Sequence, residues 1–292
     1  MTRFARVLVL AAAFAVVVVP DALALRFTDD SYNITGGIAG RPYSHAFHGD
    51  GGCGPALPYQ FRVLNGTLPP GLSLGKDGLL TGTPTSVGSW SFWVQLSDEN
   101  PPSSSWCVPK TSEREFTIHV GPPPAAVGTT YAVRMSAPGE GAQTWSLTSG
   151  QLPPGITLNP ILGTITGTPG AVGAFPLRLS ALDGKGHTTA VDLTIAVSPK
   201  LALATTRLAP VQAGRLYRAA VRTRGGVGPI QLAVVAGRFP IGVRLNVSTG
   251  VLSGKPRKAG VYRITIEARD TLGERARRTL ALTVRHADAR SR

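Results

Sequence analysis

Charged side chains, cysteine and long apolar runs are all scarce in this sequence of 292 residues. Only 16% of the residues are charged and only two are cysteine, which excludes a disulfide-dense scaffold and a four-cysteine zinc site. The one long apolar run, at 7–19, has thirteen residues, fewer than the roughly 20 that a membrane-spanning helix needs. After residue 24 no segment shows a helical period of apolar residues, which excludes a helical bundle.

Glycine and proline, by contrast, are abundant. The chain contains 35 glycines and 24 prolines, a composition that suits short strands joined by many turns. The sequence therefore predicts an all-β fold.

One stretch occurs three times, at 68–98, 152–183 and 239–270. Its equivalent glycines, Gly82, Gly167 and Gly254, stand 85 and 87 residues apart, and such fixed spacing indicates an array of similar domains. Each copy has a Pro/Gly turn, two short strands and a long strand with alternating apolar residues. The side chains predicted to point inward from the three long strands are Trp90, Phe92, Val94 and Leu96, then Phe175, Leu177, Leu179 and Ala181, then Tyr262, Ile264, Ile266 and Ala268.

The pattern LPPGLxL…GxLxGTPxxxGxxxFxVxxxD resembles the bacterial He_PIG immunoglobulin-like repeat, a relative of the cadherin-like and dystroglycan-type domains. The resemblance covers nearly all of the chain after residue 24. Copy three departs from the pattern, with Phe239-Pro240-Ile241-Gly242 for LPPG and Gly254-Lys255-Pro256 for GTP. The resemblance implies three immunoglobulin-like β-sandwiches in tandem. It implies little about function, because members serve as adhesin repeats, enzyme appendages and spacers.

A secretory signal peptide is predicted at the N-terminus. Arg3 and Arg6 precede the apolar run, and Ala22-Leu23-Ala24 offers a small-x-small cleavage site; an uncleaved anchor is the alternative. Residues 121–124 read as a short, semi-rigid linker. The expected division is a signal peptide at 1–24, domain 1 at 25–120, domain 2 at 121–199, domain 3 at 200–286 and a basic tail at 287–292.

Domain 1 holds both cysteines, Cys53 and Cys107, in two loops that share one end of an immunoglobulin-like sandwich. We expect a disulfide there, which an exported chain permits. Both loops are longer than in the other copies, and the same end carries Trp106. Trp93 points outward from a neighbouring strand by its parity. Trp93 and Trp106 are therefore the candidate ligand surface, for a sugar or a protein, with a local core over the disulfide as the alternative.

Basic residues concentrate in the last domain. Residues 200–292 contain 19 basic and 4 acidic residues, a net charge of +15, whereas 25–120 and 121–199 carry −2 and 0. Because the strands at the end of domain 3 are neighbours in an immunoglobulin-like sheet, their outward arginines should share one face, which would suit an anionic polymer or a membrane surface. These arginines are Arg263, Arg269, Arg275, Arg277 and Arg285.

Residue sets that carry catalysis are missing from the sequence. We find no nucleophile-histidine-acid set, paired-carboxylate motif or phosphate loop, so we expect no enzyme activity and no cofactor. Calcium is the alternative, with Asp98 and Glu99 as weak candidates because calcium needs several oxygen ligands. The structural alternative to calcium binding is that Asp98 and its equivalents, Asp183 and Asp270, cap the turns that follow their strands.

These observations favour a secreted, periplasmic or cell-surface protein that binds or adheres without catalysis. Its partner would be a cell-surface protein or glycan, and no specific nucleic acid is predicted. The alternatives are a structural spacer or accessory subunit of an envelope assembly, and a module that is membrane-associated or binds anionic polymer through domain 3.

Overall fold

The computed structural model describes residues 24–52, 59–98 and 110–287. Every helix or strand within these ranges is a β-strand, and the strands form two-sheet sandwiches in three successive parts of the chain. The all-β, three-domain fold expected from the sequence is confirmed. The signal peptide expected at 1–24 and the tail expected at 287–292 lie outside the described residues, apart from Ala24 and Ala287.

Domain 1 contains nine strands. They are β1 Arg26–Phe27, β2 Gly37–Ile38, β3 Tyr43–Ala46, β4 Gly49–Asp50, β5 Gln60–Gly66, β6 Leu72–Leu74, β7 Leu79–Gly82, β8 Gly88–Ser97 and β9 Thr111–Gly121. One sheet has the order β2-β9-β8-β5, the other has the order β3-β7-β6, and β1 pairs with β4.

Domain 2 contains seven strands. They are β10 Ala125–Ala126, β11 Tyr131–Arg134, β12 Thr144–Gly150, β13 Ile156–Asn159, β14 Thr164–Gly167, β15 Gly173–Leu182 and β16 Thr188–Ser198. The sheets have the orders β10-β16-β15-β12 and β11-β14-β13.

Domain 3 repeats the arrangement of domain 1. Its strands are β17 Ala202–Leu203, β18 Val211–Gln212, β19 Tyr217–Ala220, β20 Thr223–Arg224, β21 Gln231–Gly237, β22 Val243–Leu245, β23 Val251–Gly254, β24 Gly260–Arg269 and β25 Arg275–Arg285. The sheets have the orders β18-β25-β24-β21 and β19-β23-β22, and β17 pairs with β20.

Alternate side chains of the long central strands fill the space between the sheets, as the period of two requires. In β8 the predicted inward set of four is at most 2% exposed. The inward residues of β15 and β24 are buried too, apart from Phe175 and Tyr262, which are half-buried.

The Pro-Pro-Gly turn ties two strands of each small sheet together. Gly71 has a φ of +91° and accepts the Thr83 N–H at 3.0 Å. A Cβ on Gly82 would lie 2.1 Å from the Gly71 carbonyl oxygen, so glycine is required at this close backbone approach. The same contacts recur at Gly155 and Gly167 and at Gly242 and Gly254.

The tyrosine of the Gly-x-x-Tyr step packs inside each sandwich. Tyr131 and Tyr217 are buried. Tyr43 is half-buried, and its hydroxyl donates to the Thr35 carbonyl at 2.8 Å. Burial raises the pKa of Tyr43 to about 12, so this tyrosine acts as a neutral core residue.

Domain 2 begins differently from its neighbours. It is described throughout and has no counterpart of β1 or β17: the chain passes from Gly121 directly to β10, which pairs with the end of β16. The three linker residues between them extend at most about 11 Å. This is too short to carry the chain to the other end of domain 2, so the end of domain 1 stays close to the end of domain 2 where β10 begins.

Backbone pairing, and not the linker alone, fixes domain 1 to domain 2. The Val87 N–H donates to the Arg134 carbonyl at 2.8 Å, and the Ser136 N–H donates to the Val87 carbonyl at 2.9 Å. Val87 is 0% exposed, whereas Val172, at the same repeat position in domain 2, is 55% exposed. The buried residues of the two domains form one continuous apolar cluster. The sequence predicted a short, semi-rigid linker at 121–124, and the structure adds these direct contacts between the two domains.

The turn that joins β24 to β25 contacts both other domains. The Thr129 hydroxyl donates to Glu274 Oε1 at 2.8 Å, and Arg41 Nη2 donates to Thr271 Oγ1 at 3.4 Å. Thr129 and Arg41 occupy the same position in the Gly-x-x-Tyr step of their domains. One end of domain 3 is thus held at the junction, and its opposite end faces away from these contacts.

Candidate functional sites

Trp93 lies on the outer face of the four-stranded sheet of domain 1. It sits in β8, its side chain is 40% exposed, and its register partner in β9 is Glu115. The buried neighbours Phe92 and Val94 hold the strand in place. The outward orientation follows from the alternation of side chains along a strand, as the sequence predicted.

Polar side chains surround this tryptophan. Arg62 donates to Gln95 Oε1 at 2.8 Å, and Gln95 donates in turn to Glu113 at 2.9 Å. This chain of hydrogen bonds crosses three strands beside Trp93. The surface is therefore ordered as well as polar.

Tyr32 is a second exposed aromatic residue on the same side of the domain, and it was not predicted from the sequence. Tyr32 is 66% exposed, and the centroid of its ring lies 4.2 Å from the guanidinium carbon of Arg114. Tyr32 is held in place because the Thr117 N–H donates to its carbonyl at 2.8 Å. Its position three residues after Asp29 gave no periodic signal, because this segment pairs with β9 outside any regular strand.

A shallow cleft of about 480 Å³ connects the two aromatic residues. Besides Trp93 and Tyr32, Arg26 and Glu113 line it. The cleft thus presents the rings of Trp93 and Tyr32 together with two carboxylates, those of Glu113 and Glu115, and two guanidinium groups, those of Arg26 and Arg114.

Trp106, Cys53, Cys107 and Glu99 lie outside the described residues. The stems of their loops can still be located. A Cβ on Gly52 would lie 2.3 Å from Asp98 Oδ2, and the buried Asp98 carboxylate accepts the Lys110 N–H. Gly52 therefore lies against the Asp98 side chain, at the start of both loops, and the Cys53–Cys107 disulfide stays a prediction.

Two of the three repeat aspartates, Asp183 and Asp270, close the turns that follow their strands. Asp183 accepts backbone N–H groups of Glu140, Lys185 and His187 at 2.8–3.1 Å. These bonds, that of Glu140 foremost, hold the pKa of Asp183 well below its usual range. Asp270 likewise accepts the N–H groups of Val227, Leu272 and Glu274. Both carboxylates organise turns, and calcium binding at Asp98 and Glu99 stays a prediction.

No group of three or more His, Cys, Asp or Glu side chains able to hold a metal occurs within 24–52, 59–98 and 110–287. Over the same ranges, no helix combines the length and apolar character of a membrane span.

The outward arginines of domain 3 lie on adjacent strands, and a carboxylate interrupts them. Arg269 stands opposite Arg275, and Arg277 stands opposite Glu267. Arg277 Nε donates to Glu267 Oε2 at 2.6 Å, and Arg275 Nη1 lies 3.7 Å from Glu267 Oε1. The Arg277 hydrogen bond foremost lowers the pKa of the buried Glu267.

Arg263 and Arg285 lie further toward the free end of domain 3. Arg263 stands opposite Ala281, and Arg285 pairs in register with Gln212. The five predicted arginines therefore share a sheet, and Glu267 engages two of them directly.

The He_PIG family model, described as "Putative Ig domain", matches residues 28–121, 116–198 and 201–285. Solved structures to which the chain is similar include Drosophila OTK extracellular domains 3–5, at TM-score 0.37 and 14% identity over 91% of this chain and 98% of that one. Mouse cadherin-23 EC22–24 is similar at TM-score 0.29 and 15% identity, over 90% of this chain and 99% of that one. An endo-fucoidan hydrolase of glycoside hydrolase family 107 is similar at TM-score 0.27 and 16% identity over 90% of this chain.

The chain spans only 44% of that hydrolase. No curated protein matches the chain.

Proposed function

The chain belongs to the He_PIG family of immunoglobulin-like domains, and from this premise we propose that it is an exported, non-enzymatic protein that binds a glycan through the outer face of domain 1. Repeats of this fold suit a binding or adhesion role, because they present sheet faces and loops on a rigid frame. Export is inferred from residues 1–24, and mature protein starting at Leu25 is the expected result of N-terminal sequencing. The site of action would be the periplasm, the cell surface or the medium.

The exposure of Trp93 within the cleft carries the proposal. A large apolar ring on an ordered polar surface loses little conformational entropy when it binds. A sugar ring has an apolar face that can pack on the indole ring of Trp93. Its hydroxyl groups need hydrogen-bond partners. Glu113 and Glu115 supply acceptors and Arg26 supplies donors.

Glycan-array binding by the purified chain, compared with Trp93→Ala and Tyr32→Ala variants, tests this function. Each substitution should lower affinity by about tenfold or more, the usual effect of removing an aromatic anchor. Leu182→Ala, which removes an exposed apolar side chain from the outer sheet face of domain 2, is the matched control and should bind normally. Equal glycan binding by the parent chain and all three variants would show that the outer face of domain 1 is not the binding site.

If the ligand at the same face is a protein, the chain should bind no glycan on the array. It should still bind the surface of intact cells, and that binding should depend on Trp93. Silence in both assays would favour the structural spacer or envelope subunit. Calcium dependence of binding would support the weak site at Asp98 and Glu99.

A second candidate function is binding of anionic polymer by the sheet face of domain 3. The direct opposition of Arg269 and Arg275 favours it, because two adjacent guanidinium groups suit phosphate or carboxylate groups. Dextran sulfate binding over a salt series should weaken when Arg263, Arg269, Arg275, Arg277 and Arg285 are changed to Gln. Equal binding by the two proteins would refute this candidate.

A further inference from the structure

The departures of the third copy from the repeat pattern meet at one end of domain 3. The Gly214 N–H donates to the Pro256 carbonyl at 2.7 Å, and the Arg257 N–H donates to the Ile241 carbonyl at 3.0 Å. These bonds tie together three loops that are far apart in sequence. The end that they form is the one opposite the turn that contacts domains 1 and 2.

Two large aliphatic side chains project from this end. Leu216 and Ile241 are each 73% exposed. The same repeat positions hold Pro42 and Pro70 in domain 1 and Thr130 and Pro154 in domain 2. At these two repeat positions a large exposed aliphatic side chain is therefore particular to domain 3, and packing within the domain does not explain it.

Four cations lie on the same loops. They are Arg215, Lys255, Arg257 and Lys258, all of them exposed. None forms an ion pair within the part of the chain that the structure describes. The three carboxylates of domain 3 in that part lie elsewhere, Glu267 in the sheet and Asp270 and Glu274 in the turn at the opposite end.

We propose that this end of domain 3, here called the basic tip, binds the surface of an anionic phospholipid bilayer, with Leu216 and Ile241 entering the interface. Aliphatic groups gain free energy when they leave water for the acyl boundary, and flanking cations are attracted to anionic headgroups. A soluble polyanion would use the cations and leave the aliphatic side chains in water. Because exposed aliphatic side chains and cations lie together on this end of domain 3, a bilayer is favoured over a soluble polyanion as the ligand.

The orientation of the domains fits this role. The basic tip faces away from the junction, so a bilayer could contact it without meeting domains 1 and 2 there. This proposal is independent of glycan binding by domain 1 and concerns residues other than the arginines of the sheet face.

Flotation of the full-length chain with phosphatidylglycerol-containing vesicles, and with pure phosphatidylcholine vesicles, tests the proposal. The variant with Arg215, Lys255, Arg257 and Lys258 changed to Gln should lose about fivefold in affinity per cation for the anionic vesicles. A control with Lys200, Arg222, Arg224 and Arg278 changed to Gln removes the same charge from exposed side chains outside both the basic tip and the five sheet-face arginines. It should bind nearly as well as the parent, because screening limits attraction to roughly 10 Å.

The Leu216→Ser/Ile241→Ser variant separates a bilayer from a soluble polyanion. It should bind anionic vesicles at least about tenfold more weakly, from loss of buried apolar area, and should bind dextran sulfate as the parent does. All substituted side chains are exposed, so the melting temperatures should agree within about 2 °C. Equal vesicle binding by the serine variant and the parent, or equal losses in the two charge variants, would overturn the proposal.

Discussion

Replacement of Val87 by Ala tests whether domains 1 and 2 form one folded unit. The change removes two buried methyl groups, which costs about 1.6 kcal/mol at roughly 0.8 kcal/mol each. A residual cavity brings the loss of unfolding free energy to about 2 kcal/mol. For a unit of this size the melting temperature should fall by about 4–8 °C.

Val172→Ala is the matched control, because it makes the same chemical change at the same repeat position on an exposed side chain. Its effect should stay within about 0.5 kcal/mol. Calorimetry and urea unfolding measure both variants.

A double-mutant cycle with Met135→Ala then isolates the contact across the junction. Met135 is buried and is the bridge partner of Val87, so the coupling energy should be about 0.5 kcal/mol or more. Equal effects of Val87→Ala and Val172→Ala, or no coupling with Met135, would refute the reasoning.

Three further predictions concern titration, charge and redox chemistry. The folded-state pKa of Asp183 is depressed, so its stabilising effect is complete above the unfolded pKa of about 3.9 and is lost as pH falls below it. The variant Asp183→Asn should therefore show a weaker loss of stability at acid pH, measured as the midpoint of urea unfolding against pH. An unchanged loss at acid pH would contradict this. Glu267→Gln should strengthen dextran sulfate binding at low salt, because it releases Arg275 and Arg277 from their ion pairs with Glu267. Weaker binding would contradict anion binding by the sheet face of domain 3. Mass spectrometry of protein from an oxidising compartment should find Cys53 and Cys107 joined, with two hydrogens fewer than the reduced chain. Reduction should lower the free energy of unfolding of domain 1 by about 4 kcal/mol on the chain-entropy model. Free thiols in the unreduced protein would disprove the disulfide.

Local patterns were enough to predict the strands, their inward faces and the repeat. Side chains alternate in a strand by geometry alone, so Trp93 could be assigned to the outer face from its distance to Phe92 and Val94. The glycines of the Pro-Pro-Gly turn were equally readable, because only glycine tolerates the backbone approach at Gly82. The opposition of Glu267 to Arg277 was not predicted, because pairing register depends on the length of the turn between the strands.

The sequence by itself therefore determined the all-β fold, the threefold repeat and the basic character of domain 3. Tertiary structure decided that Val87 is buried while Val172 is exposed, that Tyr32 joins Trp93, and that Leu216 and Ile241 share an end with four cations. The reason is physical. Alternation and turn chemistry act between neighbours in the chain, whereas contacts between loops and between domains depend on how far a linker reaches and which surfaces it brings together.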